Sequence, residues 1–260
     1  MNNFFNILIS TLRTTAVVTP TDNPIMIVMV GESNAGGQVS ISSASTLEKT
    51  ENPDVQLLDV LNLDKFYNLH LGVNQNLGHS GLNNTTFGWH NQIGNRMREG
   101  TFVPSPLYLV ETGQGGSRLN TWASGEIDYV TFTQRVSAAI SLIEGSTGKS
   151  PDIYYLYTHG INDVVSGVTA AEIKPLIIDL WDRIMTTYGG IKILSPELMN
   201  GFATEPTQSE YKQMFLSLEN EIPNFHIISS EGASLDNIYH WSYQGMNLLA
   251  DRMMDNILGI

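Results

Sequence analysis

Ser33 lies in Gly31-Glu32-Ser33-Asn34-Ala35-Gly36-Gly37, directly after the apolar run Ile25 to Val30. A turn at the end of a buried strand lifts such a hydroxyl to the carboxyl edge of a sheet, where it can attack a carbonyl if an adjacent base takes its proton. His240, in Leu235-Asp236-Asn237-Ile238-Tyr239-His240-Trp241, is the imidazole placed to be that base, and Asp236 is near enough in sequence to hold its tautomer. Asn162, in Thr158-His159-Gly160-Ile161-Asn162-Asp163, follows another strand candidate and offers an amide donor to a developing oxyanion. A fourth segment, Gly113 to Trp122 (GQGGSRLNTW), also follows a strand candidate, and its glycines free backbone N–H groups. Singly, each has a plainer reading: an anion-binding Gly-rich turn, a capping histidine, and an Asn-Asp turn bonded to its own backbone. Ala35 departs from a G-x-S-x-G elbow, and no Walker lysine follows Gly31.

The elements that must position these residues alternate between strand and helix. Strand candidates are Ile25–Val30, Leu107–Glu111, Ile153–Tyr157, Ile191–Leu194 and Phe225–Ile228. Phe132, Val136, Ala139, Ile140 and Ile143 mark one apolar face of a helix, and Tyr211, Met214, Phe215 and Leu218 mark another. Thr169 and Glu172 predict a capping box ahead of a helix that Pro175 would delay or kink, and Ser242 predicts the cap of the last helix. This order predicts a doubly wound α/β sheet of about five strands, with ligands at the strands' carboxyl ends. Residues 34–105, rich in Asn, Gly and Ser, read as an insertion lining the cleft, with its long loop around 38–105. His226 reads as a core or edge residue, and His70, His79 and His90 as loop residues.

The chain has 260 residues, 26 acidic and 13 basic side chains, a formal charge of -13 and no cysteine. That balance argues against nucleic acid and anionic membranes as partners, since both require concentrated positive charge. The absence of cysteine removes disulfides, thiolate metal sites and a cysteine nucleophile, and leaves the compartment unreadable. No stretch approaches the roughly 18 apolar residues of a membrane span, so a soluble protein without membrane insertion is expected. Residues 1–23 read as an N-terminal arm, because MNNFFNILIS lacks a basic region before its apolar run. Residues 24–260 then read as a single domain. No His and carboxylate spacing suggests a metal site, and no cofactor is expected.

In their order along the chain the four segments resemble the SGNH, or GDSL-type, hydrolase superfamily. Gly31-Glu32-Ser33-Asn34 is similar to its first block, in the G-x-S-N form of the branch containing sialate O-acetylesterases and acetylxylan esterases. Gly115-Gly116-Ser117-Arg118-Leu119-Asn120-Thr121-Trp122 resembles that branch's G-G-[ST]-x-[IL]-x-x-W segment. Phe87 to Gly94 is similar to its F-G-P-E stretch, with Trp89 and His90 in place of Pro and Glu. Gly160 to Asp163 resembles the G-x-N-D block, and His240 stands where the last block places the base. The likeness spans residues 25 to 258. It implies a three-layer α/β/α, flavodoxin-like fold and a serine esterase removing acetyl groups from a carbohydrate. Ser33 would be the nucleophile and His240 the general base. The oxyanion hole would use the Ser33 N–H, the Gly116 N–H (or that of Gly115) and the Asn162 side chain.

One departure concerns the acid. The superfamily has D-x-x-H, whereas Asp236 lies four residues before His240 and Asn237 occupies the usual place. Either the loop bulges to use Asp236, which is the expectation, or a Ser-His dyad operates. Trp89, Trp122 and Trp241 lie in or beside these loops, where they either stack on sugars or pack, and His159 is a candidate lining residue. Two other readings stand beside the deacetylase: a noncatalytic glycan-binding module, and an esterase for non-sugar acyl esters. The arm could tether an extracellular, virion- or surface-associated enzyme, which no residue establishes.

Overall fold

The computed structural model describes residues 22–75, 84–101 and 106–259. His79 and most of the expected arm lie outside them. Strand β1 (Ile25–Gly31) is buried at every position, as a parallel strand covered on both faces must be. It runs into a one-turn helix, α1 (Ser33–Gly36), and the short β2 (Val39–Ser40). Then come β3 (Asn52–Leu58), β4 (Phe66–Leu69), β5 (Thr86–Phe87), α2 (His90–Arg98), β6 (Leu107–Glu111), α3 (Ile127–Thr147) and β7 (Asp152–Thr158). The remainder is α4 (Ile161–Val165), α5 (Ala170–Tyr188), β8 (Lys192–Pro196), α6 (Thr207–Ser217), β9 (Phe225–Ile228), β10 (Leu235–Asn237), β11 (His240–Trp241) and α7 (Tyr243–Leu258).

Among the described residues the main sheet has seven strands in the order β4-β3-β6-β1-β7-β8-β9, parallel except for the β3–β4 pair. The five strands expected from the sequence form the consecutive run β6-β1-β7-β8-β9. Ranked along the chain this is 2-1-3-4-5, the flavodoxin-like order, whose switch point falls between β1 and β7. Successive helices leave that point on opposite faces, which opens a crevice at the carboxyl ends of these two strands.

The two further strands come from the segment read as an insertion. β3 opens with Asn52, Pro53 and Asp54 and mixes buried with partly exposed positions, so no unbroken apolar run marks it. The same segment holds α2, where His90 is fully buried rather than in a loop. Helix α2 binds α7 through Gln92 to Asp251 (2.8 Å) and Arg96 to Asp255 (2.7 Å). The buried Glu48 carboxylate joins the segment to both helices, accepting from Ser45 N (2.6 Å), Asn91 Nδ2 (2.8 Å), Asn95 Nδ2 (3.0 Å) and Tyr243 Oη (2.7 Å).

The helix signals hold. Thr169 Oγ1 accepts from Glu172 N while Glu172 Oε2 accepts from Thr169 N, completing the capping box. Helix α5 therefore starts at Ala170 and continues through Pro175, which removes one backbone donor without ending it. Ser242 Oγ accepts from Gly245 N and caps α7. Among the described residues no helix is long and apolar enough to cross a membrane.

Candidate active site

Gly31 ends β1 with a positive φ of 135°. A Cβ there would lie 1.8 Å from the Thr158 carbonyl oxygen, so only glycine allows β1 to approach the end of β7 this closely. Glu32 N then donates to Thr158 O (2.9 Å), and the chain turns into α1 with Ser33 at its first position. Ser33 Oγ lies 3.0 Å from His240 Nε2.

His240 reaches that position from the β10–β11 hairpin, in which Asn237 and His240 are register partners. Asn237 Oδ1 accepts from Tyr239 N (2.9 Å), which identifies it as the amide oxygen, and lies 3.1 Å from His240 Nδ1. An amide oxygen only accepts, so Nδ1 carries the ring proton and Nε2 turns its lone pair to the Ser33 hydroxyl. This corrects the expectation for Asp236. Its carboxylate is exposed and faces the Asn237 Nδ2 (3.5 Å) instead of the imidazole, because the tight register leaves residue 237 opposite the ring. Burial moves the His240 pKa below its ordinary value, and the Asp236 charge opposes this only in part. The imidazole is therefore neutral at neutral pH, the form that can accept a proton.

Asn34 secures the hairpin. Its Nδ2 donates to Tyr239 O (2.9 Å) and its Oδ1 accepts from Trp241 N (3.4 Å), which clamps both sides of His240 to α1.

Asn162 sits on α4 at the end of β7, across the switch point from Ser33. Gly160, at φ 111°, makes the turn into α4. The side chain of Glu32, 1% exposed, fills the space between the two strand ends. Its Oε1 accepts from Ile161 N (3.0 Å), and its Oε2 accepts from Asn162 N (3.0 Å) and Asn162 Nδ2 (2.6 Å). Burial lifts the Glu32 carboxyl to about 8 despite these three donors. Asp163 turns the other way and accepts from Leu119 N (3.2 and 3.3 Å), tying α4 to the Gly113–Trp122 loop; burial raises its pKa too. That loop also docks on β1, where Gln114 N donates to Gly31 O (2.8 Å). Gly116, exposed at φ 76°, lies on the same loop.

The aromatic candidates take the packing alternative. Trp122 is fully buried, donates to Ser117 Oγ (3.2 Å) and packs edge-on against His159, with ring centroids 5.7 Å apart. Trp89 and Trp241 are buried as well, so none of the three offers a ring face to a sugar. His159 is buried, and desolvation lowers its pKa to about 3. It lines a cavity of about 20 Å3 with Glu32, Asn34, Ile161 and Trp241, far too small for a sugar ring. Among the described residues no three His, Asp or Glu side chains are grouped to hold a metal ion.

Sequence alone gives Glu32 and Asn34 no role of their own and sets Asn237, which can orient an imidazole, second to Asp236. The first two flank Ser33 inside the quoted motif, and Asn237 has the three-residue spacing to His240 that the superfamily gives its acid.

The family model described as carbohydrate esterase, sialic acid-specific acetylesterase matches residues 24–259. Among solved structures, an Arabidopsis thaliana protein aligns with a TM-score of 0.69 at 13% identity, covering 91% of this chain and 98% of its own. NanS aligns with a TM-score of 0.67 at 13% identity, covering 93% and 98%. A carbohydrate acetylesterase from Xanthomonas citri gives 0.57 at 9% identity, covering 91% of this chain and 56% of its own. At these identities the likeness establishes the fold. No curated protein sequence matches the chain.

Proposed function

The chain belongs to the carbohydrate esterase, sialic acid-specific acetylesterase family, and on that premise we propose that it deacetylates a carbohydrate through an acyl-enzyme on Ser33, with His240 as general base. It is a carboxylic ester hydrolase of the carbohydrate acetylesterase type. The observation that carries the finer reading is the 3.0 Å contact between Ser33 Oγ and His240 Nε2, with Nδ1 held by Asn237.

In this mechanism His240 Nε2 takes the Ser33 proton as Oγ bonds to the acetyl carbonyl carbon. The carbonyl oxygen gains the negative charge and meets the N–H groups of Ser33 and Gly116 and the Asn162 amide. As the C–O bond to the sugar breaks, the imidazolium returns its proton to the leaving hydroxyl. Water then attacks the acetyl-serine, giving its proton to His240, and acetate leaves as Oγ is reprotonated. One oxyanion donor is worth about 10² to 10³ in kcat. Asn237 orients the imidazole but adds no charge to stabilise the imidazolium.

The test is intact mass after fluorophosphonate treatment of the native protein and of Ser33→Ala. One adduct that vanishes in the variant is expected. No adduct on the native protein would remove the nucleophile assignment and leave a glycan-binding module. Rates on acetyl and octanoyl esters then separate a deacetylase from an esterase for longer acyl chains.

A further inference from the structure

We infer that Glu32 is a positioning residue that aims the Asn162 amide at the oxyanion, acting from the opposite strand of the crevice. The inference rests on the reading of Asn162 as an oxyanion donor. An asparagine amide has two N–H groups and rotates about a soft terminal torsion, so a lone amide on a one-turn helix is a poorly aimed donor. Here one of those N–H groups is held 2.6 Å from Glu32 Oε2, which sets the amide plane and leaves the second free to point elsewhere. The same carboxylate accepts from the backbone of Ile161 and Asn162, so the segment carrying the amide is held by the residue that holds the amide itself.

The arrangement couples the two halves of the site through one residue, by a peptide bond on one side and hydrogen bonds on the other. Glu32 precedes Ser33, and its backbone N–H donates to Thr158 at the end of β7. Any displacement of the nucleophile relative to α4 strains four hydrogen bonds made by this one residue. Gly160 has no side chain to cap α4, so these donors depend on a group from another strand. A carboxyl is the suited group, because its two oxygens accept three donors that oppose the effect of burial on its charge, whereas a glutamine would turn an N–H toward one of them.

The test is a double-mutant cycle on an acetyl ester, reading kcat and KM separately. Asn162→Ala is expected to lose about 10² to 10³ in kcat. Glu32→Ala is expected to lose at least about tenfold in kcat with KM little changed, as for a contact made only in the transition state. The Glu32→Ala/Asn162→Ala enzyme should match Asn162→Ala within about twofold, since Glu32 acts through that amide. Losses that multiply, or a Glu32→Ala effect confined to KM, would overturn the positioning role while leaving the oxyanion reading intact. Unchanged kcat in Asn162→Ala would overturn both. If Glu32→Ala does not fold, judged by its thermal melt, Glu32→Gln carries the same cycle. Its smaller loss in kcat must likewise disappear when Asn162 is absent, and persistence of that loss overturns the inference.

Discussion

Replacing Asn237 by Asp tests the geometry around His240 most directly, because it changes charge while keeping shape. The Asn237 oxygen already selects the Nδ1–H tautomer, so the substitution adds only the attraction between a carboxylate and the imidazolium formed in the transition state. At the observed 3.1 Å and with full water screening for this exposed position, that attraction is about 1.3 kcal/mol. The expected result is about a tenfold rise in the kcat/KM plateau above the acid limb, and a limb shifted up by about one pH unit, since one pKa unit is 1.36 kcal/mol. The new carboxylate also comes to lie near Asp236, whose Oδ2 is 3.5 Å from the present amide nitrogen. That repulsion exists before and after proton transfer, so it lowers stability and leaves the rate gain in place. The assay is kcat/KM on a chromogenic acetyl ester from pH 5 to 9, beside a thermal melt. Asp236→Ala run in parallel should lose less than about tenfold in kcat, against the roughly 10⁴ that disabling a triad acid costs. An Asp236→Ala loss approaching 10⁴, or an Asn237→Asp enzyme whose acid limb stays in place, would refute the assignment of Asn237 as the orienting group.

Burial disfavours the charged form of His240, so the acid limb of kcat/KM in the native enzyme should lie below 6.5, with activity constant above it until another group titrates. A limb above 6.5 would show that the imidazolium is stabilised by a carboxylate after all. For Glu48, burial alone would raise the pKa, but donors from Asn95, Tyr243, Ser45 and Asn91 outweigh it and hold the carboxyl down at about 2. Its stabilising effect is therefore complete above pH 4.5 and lost as pH falls through 2. Glu48→Gln should lower the melting temperature at pH 7 by several degrees, from about 1–3 kcal/mol of lost charged hydrogen bonding, with the difference narrowing at acid pH. A difference that does not change with pH would place the effect in packing. Gly31→Ala sets a Cβ 1.8 Å from Thr158 O at a φ of 135°, and should cost more than about 4 kcal/mol or prevent folding, as read by denaturant unfolding.

The parts of this molecule legible in the sequence are those whose physics is local. An apolar run such as Ile25–Val30 has one stable environment, and the pair Thr169 and Glu172 satisfies backbone donors within one turn; the structure places both as their chemistry requires. β3 was hidden because it lies one strand from the sheet's edge, with the polar Asn52, Asp54 and Gln56 and the exposed Pro53 breaking up its apolar residues. The choice between Asp236 and Asn237 was hidden for a different reason. Sequence spacing counts residues, whereas the side chain that meets Nδ1 is decided by hairpin register, and residue 237 pairs with His240 across the turn.

Glu32, Ser33 and Asn34 show how much can rest on three consecutive residues. Where the chain leaves β1 and enters a one-turn helix, successive side chains diverge too widely to share a partner. Glu32 turns into the crevice toward α4, Ser33 toward His240, and Asn34 toward the backbone on either side of His240. One turn thus presents the proposed nucleophile and bonds both to the hairpin that carries His240 and to the helix that carries Asn162. In the proposed mechanism the positions of His240 and Asn162 relative to Ser33 are then set by bonds made by the immediate neighbours of Ser33, Glu32 and Asn34.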